Sequence, residues 1–171
     1  MSLDKFKRIK LLLLDVDGVL TDGGIIYDDT GAETKVFNVK DGLGIKMLMG
    51  AGIEVGVVTA RTSKAVVQRC DNLGISLVFA GVHEKSGVLA DISKRTGIPA
   101  EEIAFVGDDL VDLPLMREVG LSVAVADAHE TLLENADMVT TARGGAGAVR
   151  EVCEAILKAQ GLWEKTLERF L

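Results

Sequence analysis

The run Leu11-Leu12-Leu13-Leu14 breaks off at Asp15, and short apolar runs of the same kind recur at Val55–Val58, Leu77–Phe79, Ile103–Val106 and Ser122–Val125. A brief, continuous apolar run is how a strand reads when both of its faces are covered, as in a parallel sheet. Between the runs lie stretches with helical spacing, at Leu43–Met49, Ala65–Leu73, Val88–Thr96 and Leu113–Val119. Strand and helix in alternation predict an α/β fold: a doubly wound, mostly parallel, Rossmann-like sheet with helices on both faces. One segment departs from the rhythm. Within Gly23–Val39, Ile25-Ile26-Tyr27, Asp28-Asp29-Thr30-Gly31 and Thr34 to Val39 read as strand, turn and strand, an inserted β-hairpin.

At 171 residues and 48% hydrophobic content the chain has material for the core of one domain, and no repeat, low-complexity tract or Pro-rich linker marks a boundary within 1–171. A formal net charge of −7, without a dense Lys/Arg run, argues against nucleic acid as a partner. Cys70 and Cys153 fit neither a zinc nor a disulfide pattern and suit a reducing cytoplasm. Leu11–Leu14 is too short for a signal h-region or a membrane span, so no membrane is expected either. No Walker sequence or dinucleotide-type glycine spacing is present. His83 and His129 have no ligand spacing; His129 reads as a residue near a helix start. After Arg143-Gly144-Gly145-Ala146-Gly147 comes an amphipathic helix from Ala148 to about Ala159, then a charged tail over 160–171.

The chemistry concentrates at strand exits. Asp15-Val16-Asp17-Gly18 sets two carboxylates two residues apart where a buried strand ends, at the edge of an open α/β sheet where ligands bind. Alone, such a motif is an ordinary Asp/Gly turn. Here Thr59 follows Val55–Val58, Lys85 follows the run ending at Phe79, and Asp108-Asp109 follow Ile103–Val106. A carboxylate attacking phosphorus needs its charge and that of the phosphate screened, which calls for a hard cation on oxygen ligands. Few carboxylates plus substrate oxygens is the magnesium pattern. Asp15 and Asp108 are the candidate metal carboxylates, and Thr59 and Lys85 are phosphate donors by type. Asp17, adjacent but not attacking, suits a general acid and base. Taken singly, Thr59 also reads as a helix cap and Lys85 as a solvated charge.

In this order, Asp15-x-Asp17-Gly18, Thr59, Lys85 and Gly107-Asp108-Asp109-x-x-Asp112 resemble the motifs of the haloacid dehalogenase superfamily of phosphohydrolases. The resemblance covers nearly the whole chain. It implies Asp15 as nucleophile forming an aspartyl-phosphate, and Asp17 as acid/base that also binds Mg2+ through its backbone carbonyl. It further implies Asp108 as the third metal ligand, and Asp109 and Asp112 as groups orienting the metal waters and Lys85. Only the hairpin fits between Asp17 and Thr59, and only one helix and one strand between Thr59 and Lys85, so no cap domain is expected.

Blocks such as Phe37-Asn38-Val39-Lys40-Asp41-Gly42 and Ala124 to His129 are similar to capless members that act on sugar-acid phosphates. That likeness implies a homotetramer built on the hairpins, with active sites shared between subunits. It places Asn38, Lys40, Asp41, Gly42 and Lys46 near the sugar acid, and Arg61 and Arg69 as its cations. Thr59-Ala60-Arg61 departs from the frequent Thr-Gly-Arg but keeps hydroxyl and guanidinium. The expected substrate is an eight-carbon sugar-acid 8-phosphate of the lipopolysaccharide precursor pathway. A nine-carbon 9-phosphate of the sialic-acid class is the alternative. A non-catalytic phosphoacceptor of the receiver type also uses Asp, Thr and Lys at strand ends, but there the acidic pair and the phosphoacceptor lie on different strands. Two readings of the tail stand open: a lid over a neighbouring site, or a packing helix with Leu162, Trp163, Leu167 and Phe170 as its apolar face.

Overall fold

The computed structural model describes residues 3–85 and 87–171. A short helix α1 (Leu3–Lys7) leads into β1 (Leu11–Leu14), whose four side chains are all fully buried. The hairpin follows as β2 (Ile26–Tyr27) and β3 (Glu33–Thr34). Next come α2 (Val39–Gly50), β4 (Glu54–Thr59), α3 (Lys64–Leu73) and β5 (Leu77–Ala80). The second half runs α4 (Val88–Thr96), β6 (Ile103–Gly107), α5 (Leu113–Met116), β7 (Leu121–Ala124), α6 (Glu130–Asn135) and β8 (Met138–Val139). It closes with α7 (Ala148–Ala159) and α8 (Trp163–Leu167).

The main sheet has the order β5-β4-β1-β6-β7-β8, every pair parallel. The chain winds outward from β1 to β5, then crosses back to β6, so the direction of winding reverses beside β1. With the right-handed connection that parallel strands take, α2 and α3 lie on one face and α4, α5 and α6 on the other. The last long helix, α7, packs on α2, and α1 packs on α7. Its buried residues, Val149, Val152, Cys153, Ile156 and Leu157, recur at the spacing of one helical face.

The hairpin is shorter than its sequence suggests. Asp28 closes the turn, its Oδ1 accepting from Thr30 N–H at 2.8 Å and Ala32 N–H at 2.9 Å. The second arm, however, ends at Thr34, and Asn38 and Val39 belong to the start of α2 rather than to a strand. Asn38 is the N-cap, and its Oδ1 takes Lys40 N–H at 2.8 Å. The helix expected at Leu113–Val119 stops at Met116. Within the protomer the tail packs on the core through Leu162, Trp163 and Leu167, while Phe170, the fourth residue of its expected apolar face, is 56% exposed. Lys158 lies 4.8 Å over the Trp163 ring, and Arg169 comes against Gly50 at the C-terminal end of α2.

Candidate active site

Strand register sets the centre. Leu14 pairs with Val57 of β4 and Val106 of β6, so Asp15, one residue further on, and Thr59 and Asp108, two residues further on, come to the same edge of the sheet. This edge lies where the winding reverses, the crevice that open α/β sheets offer to ligands. Asp15 is 7% exposed and its N–H donates to Val106 C=O at 3.1 Å, which fixes the turn. Thr59 is 2% exposed, its hydroxyl oxygen accepting from Arg61 N–H at 3.3 Å.

Gly18 and Gly144 make this convergence possible. Gly18 has φ +92°, and a Cβ there would stand 2.0 Å from Asp108 Oδ2, so only glycine lets the first loop pass beside that carboxylate. A Cβ on Gly144 would fall 1.7 Å from the Gly18 carbonyl oxygen. The glycine-rich segment ahead of α7 therefore buttresses the loop that carries Asp15 and Asp17. Gly145 N–H donates to Val19 C=O at 2.9 Å, and Gly144 N–H to Asp127 Oδ1 at 2.9 Å.

Lys85 reaches the centre from the segment after β5. Its ammonium donates to Asp15 Oδ1 at 2.7 Å and to Asp112 Oδ1 at 2.5 Å, with the Phe105 ring 5.4 Å away. Burial works against its charge, but Asp15 and Asp112 more than offset it and raise its pKa. Asp112 is fully buried, and its other oxygen accepts Asp108 N–H at 2.9 Å. Exposed Asp109 caps the following turn through Leu110 N–H at 2.7 Å. His129 starts α6, as its sequence context indicates; its N–H holds the Asp108 carbonyl at 2.7 Å.

Three carboxylates and one ammonium leave the cluster short of positive charge. Burial pushes the Asp108 carboxyl up to about 8, with Asp112, Asp15 and Asp109 adding to the rise and Lys85 opposing it. Burial likewise lifts Asp15 to about 6, against the pull of Lys85. Carboxylate oxygens of Asp15, Asp108 and Asp112 lie within 4.8 Å of one another. Both Asp112 oxygens already accept hydrogen bonds, which suits it to orienting Lys85 and the Asp108 backbone. Asp15 and Asp108 are the carboxylates suited to a hard cation, so the residues present fit magnesium.

Asp17 is met by side chains from two directions. Its Oδ1 receives the Lys35 ammonium, and Arg61 Nε stands 3.8 Å from Oδ2. Arg61 Nη2 donates to Tyr27 Oη at 2.8 Å and Glu33 Oε1 at 3.0 Å, while its buried Nε has no hydrogen-bond partner among the described residues. Lys35 and Glu33 escape the reading of the sequence. Their spacing of two in a hairpin, which puts both on one face, is the signal that points to them.

Other expected site residues are placed elsewhere. Asp41 is 1% exposed and its Oδ1 accepts Arg150 N–H at 2.7 Å, capping α7 from α2, while its Oδ2 is buried with no hydrogen-bond partner among the described residues. Arg69 donates to the Asn38 carbonyl at 3.1 Å and lies 5.6 Å over Phe37. With Gly42 and Lys46 it lines a groove of about 240 Å3 between α2 and α3, which the strand-exit groups do not line. Asn38 spends its amide on Gly145 C=O at 3.2 Å, and Lys40 is exposed on the first turn of α2.

A parallel sheet that reverses its winding beside a buried aspartate, with Asp-x-Asp-Gly, Thr, Lys and Asp-Asp at successive strand exits, defines a haloacid dehalogenase-like hydrolase; residues 78–151 match that family. The 3-deoxy-D-manno-octulosonate 8-phosphate phosphatase of Escherichia coli K12 is 50% identical over 157 residues, 92% of this chain and 84% of that protein. The crystal structure of the enzyme of that name from Moraxella catarrhalis, in complex with magnesium ion, phosphate ion and KDO, is 44% identical. It superposes with a TM-score of 0.96, over 99% of this chain and 97% of that one. The cobalt-bound deoxy-D-mannose-octulosonate 8-phosphate phosphatase of Haemophilus influenzae is 47% identical, with a TM-score of 0.90 over 93% of each chain. The chain belongs to this family of octulosonate 8-phosphate phosphatases.

Proposed function

We propose that the chain hydrolyses 3-deoxy-D-manno-octulosonate 8-phosphate to the free sugar acid and phosphate, with magnesium, through a phosphoryl group carried on Asp15. The observation that carries this reading is the Asp15 carboxylate at the exit of β1, 2.7 Å from a buried ammonium and within 4.8 Å of an Asp108 carboxylate oxygen. Asp15 attacks phosphorus as the ester bond breaks, and Asp17 gives a proton to the departing sugar oxygen. Asp17 then takes a proton from water, which attacks the acyl phosphate and frees Asp15. Lys85 and the Thr59 hydroxyl hold phosphate oxygens, and Arg61, a partly exposed guanidinium beside Asp17, supplies a cation for the sugar acid. Magnesium, held by Asp15, Asp108 and the Asp17 carbonyl, screens the charge between carboxylate and phosphate.

The test is phosphate release from this substrate with and without magnesium, with Asp15→Asn as control and a nine-carbon sugar-acid 9-phosphate alongside. Magnesium-dependent release that the control loses supports the reading. Preference for the nine-carbon compound moves the enzyme to the sialic-acid class, and release from neither ester sinks it.

The hairpin leaves Ile25, Ile26, Tyr27 and Val36 each about half exposed or more, an apolar surface suited to burial in a homotetramer whose subunits complete one another's sites. Exposed Lys40 is then positioned for a neighbour's substrate. Sedimentation equilibrium should give four protomers; a monomer at assay concentration would count against shared sites. The cytoplasm, where thiols such as Cys70 and Cys153 stay reduced, suits the enzyme.

A further inference from the structure

The acid/base carboxylate is held by a side chain that its own hairpin lowers into the site. Lys35 follows β3 on a largely exposed segment, yet its side chain is 1% exposed, because its stem runs inward and its ammonium ends on Asp17 Oδ1. Glu33, on the same face of the hairpin, holds that ammonium at 3.3 Å and the Arg61 guanidinium at 3.0 Å. Arg61 in turn reaches Tyr27 Oη at 2.8 Å. A continuous line of contacts, Tyr27, Arg61, Glu33, Lys35, Asp17, thus ties both arms of the hairpin to the exits of β1 and β4.

Asp17 stands on a loop past the end of β1, its side chain 21% exposed, so strand pairing does not fix its carboxylate. An acid/base group must meet first the leaving oxygen and then the attacking water at hydrogen-bond distance, and misplacement by about 1 Å costs on the order of 100-fold. We propose that Lys35 is a positioning residue for Asp17 and that Glu33 fixes Lys35, so that the hairpin of the same chain sets the geometry of proton transfer. The proposal rests on the acid/base role given to Asp17.

The experiment compares Lys35→Met, Lys35→Arg, Glu33→Gln and Asp17→Asn with wild type on two substrates. On octulosonate 8-phosphate, Lys35→Met is expected to lower kcat about 10- to 100-fold while KM stays within about threefold, Lys35→Arg to recover most of the loss, and Glu33→Gln to show a smaller loss of the same kind. On p-nitrophenyl phosphate the leaving phenolate needs no proton. Lys35→Met should therefore release a first equivalent of nitrophenolate per site at close to the wild-type rate, then turn over slowly because the water step still needs Asp17. A raised KM with kcat intact, or a first equivalent slowed as much as later turnovers, overturns the proposal. If Lys35→Met fails to fold, Glu33→Gln decides by the same criteria. Wild-type rates in Asp17→Asn would sink the acid/base reading and the proposal with it. Failure of the octulosonate ester alone leaves the nitrophenyl readout to decide on Lys35.

Discussion

Lys85 balances the charges of the centre, and its removal exposes how they are arranged. Lys85→Met strips Asp15 and Asp112 of a buried partner, and breaking a buried pair in this way costs about 3 to 5 kcal/mol. Urea unfolding without magnesium should show that loss, and adding Asp15→Asn should return part of it, since two groups on one ammonium are not additive. Asp15→Asn alone should abolish turnover while leaving the fold intact, checked by phosphate release and circular dichroism. Asp15, Thr59 and Asp108 are legible in the sequence because each is a chemically distinctive residue within two positions of the end of an apolar run, and Lys85, five residues beyond Ala80, is legible only by its place in the order of the motifs. The cap that Asp41 gives α7 is hidden for the opposite reason. Its partner, the Arg150 N–H, lies 109 residues away, and nothing local signals it. Lys35 is hidden differently: hairpin alternation tells which side it faces but not that the side is the active site.

At the scale of elements, the first loop is supported from behind and α7 is capped from a distance. Gly144→Ala puts a methyl group into the Gly18 backbone, where neither side can yield as a flexible side chain would. A destabilisation of about 2 to 3 kcal/mol is expected, with activity lost more steeply, measured by thermal melting beside kinetics. Asp41→Ala removes a helix cap and should cost about 1 to 2 kcal/mol with KM unchanged. A large rise in KM at unchanged stability would place Asp41 at the substrate. The strands that carry the site are predictable to within a residue or two because they are buried on both faces. The elements not read from the sequence, α1 with five residues and β8 with two, are too short to establish a period. Helix α2 begins four residues ahead of its apolar stretch because the Asn38 cap, not hydrophobic spacing, sets its start.

For the whole molecule, the acidic centre couples metal to pH. Asp108, raised to about 8, and Asp15, raised to about 6, retain protons in the folded state that the unfolded chain has released above about pH 4. With the metal stripped, this contribution to stability is full below the unfolded values and is lost as pH rises through 6 to 8. The melting midpoint of chelated protein should therefore fall over that range. Magnesium, which competes with those protons, should bind more tightly at pH 8 than at pH 6 and release protons on binding. Calorimetry in buffers of different ionisation enthalpy measures the release; a magnesium-induced rise in midpoint that is the same at both pH values would contradict it.

Because every strand of the main sheet points the same way, the molecule has a working pole and a quiet one. The tail lies at the quiet pole, with Arg169 against Gly50 just before the chain turns into β4. A dye, a resin or a fused domain joined at the tail would ride behind the chemistry, and the enzyme would serve as an immobilised catalyst with its face to the substrate stream.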